Sequence, residues 1–147
     1  MSHASKRAAG VAVLHKDLIL LAKRVEFWGE EKTPVPLGGY WSIFAGSIEE
    51  GEGPLVCAAR ELKEESQIEA DFIDFVYTKT IEDKDVSLVV YVLDLKEMIN
   101  PILNEEHTEY GWFKIDSLKS FPDKIDPKVI DCINHYKKTR YNPSLRV

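Results

Sequence analysis

Between Gly46 and Ile68 the chain reads Gly-Ser-Ile-Glu-Glu-Gly-Glu-Gly-Pro-Leu-Val-Cys-Ala-Ala-Arg-Glu-Leu-Lys-Glu-Glu-Ser-Gln-Ile. A glycine-rich loop carrying Glu52 runs into a stretch that holds Arg60, Glu61, Glu64 and Glu65. Residues three and four apart share a helix face, so Glu61, Glu64 and Glu65 crowd one side, opposite Leu55 and Leu62. Like charges at that spacing repel. A divalent cation relieves the repulsion, because Mg2+ and Mn2+ take hard carboxylate oxygens and keep waters beside them. Arg60, four residues before Glu64, can grip one carboxylate through two hydrogen bonds and fix its rotamer. Glu52 lies near the helix start, where negative charge is favoured. Gly46, Gly51 and Gly53 let the loop turn tightly, so the carbonyl of Ala45 can face inward as a further oxygen ligand. A lone Glu-x-x-Glu-Glu is the ordinary mark of a solvated helix face. The whole constellation points instead to divalent cations and phosphate chemistry.

Several elements must hold these residues. Pro54 suits a first helical turn, where the missing N–H costs nothing. Leu55, Ala58, Ala59 and Leu62 form the apolar stripe of that helix. Ala8–His15 and Leu18–Ala22 read as strands around a Lys16-Asp17 turn. Arg24–Gly39 reads as a polar loop with Phe27, Trp28, Pro34 and Pro36, and Tyr40–Ala45 as a short strand. Phe72–Thr80 and Val86–Leu95 are β-prone, with Glu82–Asp85 as their turn, and Thr108–Lys114 is a further strand. Asp126-Pro127 opens a last helix with Val129, Ile130, Ile133 and Tyr136 on its buried side and Pro143 beyond its end. The expected fold is α/β (α+β), a mixed β-sheet sandwiched between helices.

The chain has 147 residues, 44% hydrophobic and 30% charged, as expected of one globular domain spanning 1–147. Its net charge of −6 argues against a long nucleic-acid partner. Lys137, Lys138 and Arg140 read as the solvated end of a helix, where cations are favoured. No apolar run reaches the ~20 residues that span a bilayer, and no signal peptide is expected. The two cysteines, Cys57 and Cys132, make no disulfide framework, so a reducing cytoplasm is the expected setting.

Residues 46–68 resemble the Nudix box, Gly-x5-Glu-x7-Arg-Glu-U-x-Glu-Glu-x-Gly-U with U apolar. The match falls on Gly46, Glu52, Arg60, Glu61, Leu62, Glu64, Glu65 and Ile68. Gln67 replaces the final glycine, and Phe44-Ala45-Gly46 replaces the usual Pro-Gly-Gly. Beyond the box the likeness is looser: a hairpin ending in Lys23-Arg24, Trp41 before the box, and Glu106-His107 followed by Trp112. The resemblance implies a Mg2+- or Mn2+-dependent hydrolase of nucleoside diphosphate derivatives. It implies that Glu61, Glu64 and Glu65 are metal ligands and that Glu52 is an accessory ligand or an acid standing behind the ligands. It implies that Arg60 orients a glutamate and that the Ala45 carbonyl completes the coordination. A further glutamate from a later loop would be Glu106, with Glu105 and Glu109 as alternatives.

The chemistry expected is attack of water on phosphorus, with Glu64 or Glu106 taking the proton. Arg24 is a candidate phosphate contact or a plain surface arginine. Trp28, Tyr40, Phe44 and Tyr77 are candidate stacking faces for a base. Phe44 and Trp112 read as core residues first, His107 as a structural hydrogen-bonding residue and Cys57 as a small buried side chain. A nucleoside tri- or diphosphate is the first substrate expectation. The alternatives are ADP-ribose, a nucleotide sugar or a dinucleoside polyphosphate. The family marks of these, a proline some fifteen residues past the box or a tyrosine slightly further on, are missing from Thr80–Val86. A catalytically silent nucleotide-binding regulatory module and a metal-buffering acidic protein are weighed as other classes. The expected assembly is a monomer or homodimer with no membrane partner.

Overall fold

The computed structural model describes residues 6–140. Pro143 lies outside them. Strand β1 (Lys6–His15) and strand β2 (Leu18–Arg24) form an antiparallel hairpin over Val13–His15 and Leu18–Leu20. Lys16 makes the turn in the left-handed region, at φ 55°. Successive side chains of a strand point to opposite faces. Ala12, Leu14, Ile19 and Leu21 therefore enter one apolar cluster, and Val11, Val13, Leu20 and Ala22 the other. Both faces are covered, which is why these strands read as nearly unbroken apolar runs.

β1 and β2 then diverge. The segment expected as one strand from Tyr40 to Ala45 is two strands that fill the gap. β5 (Trp41–Ser42) pairs with β2, and β6 (Phe44–Ser47) pairs with β1. The chain changes partner at Ile43, so no single ladder runs through it. Gly10 lies opposite Ala45 in that pairing. A Cβ added there would sit 2.7 Å from the Ala45 Cβ and 2.9 Å from the Phe44 carbonyl oxygen, so glycine is what lets β6 approach. The loop before β5 carries a small hairpin of its own, β3 (Phe27–Trp28) with β4 (Thr33–Pro34).

β8 (Val86–Asp94) runs parallel along the other edge of β1, and β7 (Phe75–Glu82) pairs antiparallel with β8. β9 (His107–Lys114) pairs antiparallel with β2. The β7–β8 hairpin starts later than expected. Phe72–Asp74 is a single 3-10 turn, because the ladder ends at the Phe75–Leu93 pair and nothing stands opposite the residues before it.

Helix α1 (Pro54–Ser66) covers one face of the sheet and helix α2 (Pro127–Arg140) the other. Leu62 joins Val11 and Val13 in the first core. Val129, Cys132 and Ile133 join Ala12 and Leu14 in the second. The fold is thus the expected mixed sheet between helices. Among the described residues, no helix is long and apolar enough to cross a membrane.

α1 begins with Pro54 in its first turn, as the sequence suggests, and closes on Gln67 at φ 64°. The Gln67 N–H donates to the Lys63 carbonyl at 2.9 Å. This is the left-handed closure that glycine usually supplies, made here by a residue with a Cβ, at a cost of about 1 kcal/mol. Gln67→Gly should therefore raise the urea midpoint by up to about 1 kcal/mol of stability with an unchanged slope. A lower midpoint would show that the glutamine side chain has a stabilising role.

Candidate metal centre and cleft

At about 100° per residue, Glu61 and Glu65 fall inside the buried arc of α1, between Cys57 and Leu62. Glu61 is 9% and Glu65 1% exposed. The expectation that all three glutamates lie opposite Leu55 and Leu62 is corrected here. Only Glu64 turns outward, its side chain 52% exposed.

The third member of the cluster comes from the loop before β9. Oxygens of Glu61, Glu65 and Glu106 lie within 4.8 Å of one another. Glu105 is exposed and outside the cluster, and Glu109 pairs instead with Lys23 at 3.9 Å. The Ala45 N–H donates to Glu65 Oε1 at 3.2 Å. A residue's N–H and C=O leave a strand on the same edge, so the Ala45 carbonyl faces the side of β6 that looks toward Glu65. Gly46 is required here for a spatial reason. A Cβ on it would overlap the Glu61 carboxylate.

Burial pushes the Glu65 carboxyl well above the usual carboxylate range, and the adjacent Glu61 and Glu106 push it the same way. A cation would offset both effects. The donor set fits a hard divalent ion, since it consists of carboxylate oxygens and a backbone carbonyl with no sulfur or imidazole among them.

Arg60 organises the remaining acids. Its Nε and Nη2 donate to Glu52 Oε2 and Oε1 at 2.7 and 2.9 Å. Nη1 donates to Glu61 Oε2 at 2.9 Å and to Glu64 Oε1 at 3.2 Å. Nη2 also reaches the Ser47 carbonyl at 3.1 Å. Glu52 and Glu64 are thus counter-charges of Arg60, and neither joins the cluster of Glu61, Glu65 and Glu106. The Arg60 hydrogen bonds, with the Glu49 N–H, hold the Glu52 carboxyl down at about 2.

Glu61 and Glu106 line a cleft of about 510 Å³, together with Arg24, Ala45, Gly46 and Leu37. Arg24 and Glu106 also line a smaller pocket of about 160 Å³ beside Trp28, which is 47% exposed on the β3–β4 hairpin. The Arg24 Nε is buried without a hydrogen-bond partner among the described residues. Tyr40 lies outside both, under Lys124 Nζ at 5.8 Å from its ring. Phe44 offers no stacking face. It is 1% exposed, in the core with Leu62 and edge-on to His107 at 5.3 Å. The alternation of β6 points it inward. Tyr77 is exposed on β7, bonded to Thr80 at 2.9 Å and away from the cleft. Burial, then Arg24, holds His107 down to about 4, so its ring is neutral at pH 7. Its Nδ1 has no hydrogen-bond partner among the described residues.

Asn104 was not singled out by sequence reading. Its Nδ2 donates to the Glu64 carbonyl at 3.1 Å and to Glu106 Oε2 at 3.3 Å. Its only sequence signal is its place two residues before Glu106.

A profile of the NUDIX domain matches residues 4–133, and the chain belongs to the NUDIX family. The MutT NUDIX hydrolase of Burkholderia pseudomallei superposes with a TM-score of 0.72 at 20% identity, over 88% of this chain and 96% of that one. The E. coli dihydroneopterin triphosphate pyrophosphohydrolase gives 0.68 at 17% identity, over 92% and 97%. A C. elegans Ap4A hydrolase gives 0.66 at 19% identity, over 90% and 95%. At these identities the likeness is one of fold. Among curated proteins, an octanoyltransferase of Myxococcus xanthus is 42% identical over 40 residues, which are 27% of this chain and only 11% of that protein.

The Glu52–Arg60 contact has a pH signature. The folded Glu52 carboxyl is depressed from 4.5 to about 2, so its contribution is complete above pH 4.5 and lost as pH falls toward 2. Glu52→Gln removes that component. Its urea midpoint should fall less steeply than wild type across that acid window; parallel profiles would show that Glu52 titrates alike in both states.

Proposed function

We propose that the chain is a divalent-metal-dependent pyrophosphohydrolase acting on nucleoside tri- or diphosphates. One observation carries the reading: the cluster of Glu61, Glu65 and Glu106 borders a cleft that also receives Arg24. Acidic oxygens and a guanidinium around one space suit a metal-chelated phosphate chain.

Glu61, Glu65, Glu106 and the Ala45 carbonyl would hold Mg2+ or Mn2+. The ion supplies charge neutralisation of the phosphate oxygens and of the leaving oxygen. Arg60 fixes the Glu61 rotamer and keeps Glu52 and Glu64 off the ion. Arg24, whose side chain lines the cleft, would take a phosphate oxygen. Water attacks phosphorus, a carboxylate accepts its proton, and the phosphoanhydride P–O bond breaks so that the leaving phosphate departs with the electron pair. Of the two carboxylates expected for that step, Glu106 lines the cleft while Glu64 is bound through both oxygens to Arg60, so Glu106 would take the proton on the oxygen it does not give to the ion. Trp28 gives the base an open ring face beside Arg24. Cys57 and Cys132 are free and buried, which suits a reducing cytoplasm.

A second reading has its own support. The cleft and the Trp28 pocket share Arg24 and Glu106, so a diphosphate at Arg24 has space on either side. That suits a dinucleoside polyphosphate or a nucleoside diphosphate derivative. The E. coli neighbour is a dihydroneopterin triphosphate pyrophosphohydrolase and the C. elegans neighbour an Ap4A hydrolase.

A nucleotide panel with and without Mg2+, with products resolved into monophosphate, pyrophosphate and orthophosphate, separates these readings. Tight nucleotide binding with no turnover would favour a silent regulatory module instead. Glu65→Gln should lose at least about a hundredfold in turnover, the scale of a lost essential group. In EDTA its melting temperature should equal or exceed that of wild type, because a buried carboxyl that resists ionisation is replaced by a neutral amide of the same shape. Near wild-type activity in that variant removes the metal assignment.

A further inference from the structure

We propose that Asn104 is a positioning residue of the metal centre, one that ties Glu106 to the C-terminus of α1. The inference rests on the reading above, in which Glu106 completes the set begun by Glu61 and Glu65.

The last carbonyls of a helix have no partner inside it. In α1 one of these carbonyls is closed by the helix's own cap, and two others dock the loop before β9. Lys63 accepts the Gln67 N–H at 2.9 Å, and Ser66 accepts the Ile102 N–H at 2.9 Å. Glu64 accepts Nδ2 of Asn104 at 3.1 Å. The same Nδ2 reaches Glu106 Oε2 at 3.3 Å, and Asn104 Oδ1 accepts the Glu106 N–H at 2.9 Å. One side chain thus holds the Glu106 backbone, the Glu106 carboxylate and the turn of α1 that carries Glu65.

Only a primary amide of this length does that. Asparagine has an acceptor oxygen and two N–H donors. Aspartate lacks the donors. The opposite orientation of the amide would set N–H against N–H and oxygen against two oxygens, so the surrounding groups fix it. The rest of the loop fixes the backbone of Glu106 but leaves its carboxylate free, with the Val25 N–H on the Glu106 carbonyl at 3.0 Å. Without Asn104, repulsion from Glu61 and Glu65 would push that carboxylate outward. Groups that orient a metal ligand in this way typically account for ten- to a hundredfold in affinity.

Calorimetric titration of Mn2+ into the full chain tests this in four forms: wild type, Asn104→Ala, Glu106→Gln and the double variant. Asn104→Ala should weaken Mn2+ by about ten- to a hundredfold while its melting transition in EDTA stays cooperative. Asn104→Ser, which keeps an acceptor near the Glu106 N–H but has no amide, should weaken Mn2+ to a similar degree. In the Glu106→Gln background, Asn104→Ala should change the affinity by less than about twofold, because the residue acts through Glu106. Equal losses in both backgrounds would make Asn104 a general structural residue and overturn the proposal. So would unchanged Mn2+ affinity in Asn104→Ala. A wild-type chain that binds no Mn2+ fails in a different arm and removes the metal centre itself.

Discussion

Two carboxylates are held where almost no water reaches them, and the site is built around that constraint. Glu65 is 1% and Glu61 9% exposed. A buried charge is costly unless it is paired or coordinates a metal. The protein pairs them only in part. Glu65 has one backbone N–H, Glu61 has one arm of Arg60, and Glu106 adds a third negative group within 4.8 Å. The remaining charge faces the cleft. A fold that sought only stability would place an apolar residue at position 65, on the same arc as Leu62.

Two features of the surroundings make that placement workable. Gly46 leaves the space that the Glu61 carboxylate fills. Arg60 divides the acids into two groups with different tasks, because its planar fork serves Glu52, Glu61, Glu64 and the Ser47 carbonyl together. Lysine, with a single ammonium, cannot hold that geometry. Glu52 and Glu64 neutralise Arg60, while Glu61, held by one of its arms, stays within the cluster that Glu65 and Glu106 complete.

Much of the scaffold was legible from periodicity and turn chemistry. The β1–β2 hairpin, the Pro54 start of α1 and the apolar side of α2 follow from local signals that the fold obeys. The misreadings have one common cause. Tyr40–Ala45 looked like one strand because its composition is β-prone, yet it changes partner at Ile43. Phe72–Asp74 looked like strand for the same reason and has no strand opposite it. Phe44, read as core first and as a stacking face second, is turned inward by the pairing of β6. In each case the outcome lay with a neighbour distant in sequence.

The sequence by itself determined the acidic inventory, its i, i+3 and i+4 spacing on a helix, and the family, because these depend on residues close together along the chain. Which glutamates meet was decided only by the tertiary structure. Burial of one arc of α1 against β6 took Glu61 and Glu65 inward. The docking of a loop some forty positions later on the open carbonyls of α1 brought Glu106 beside them. Helical spacing places side chains on a face, but packing of another segment chooses which face is buried and what is brought to meet it.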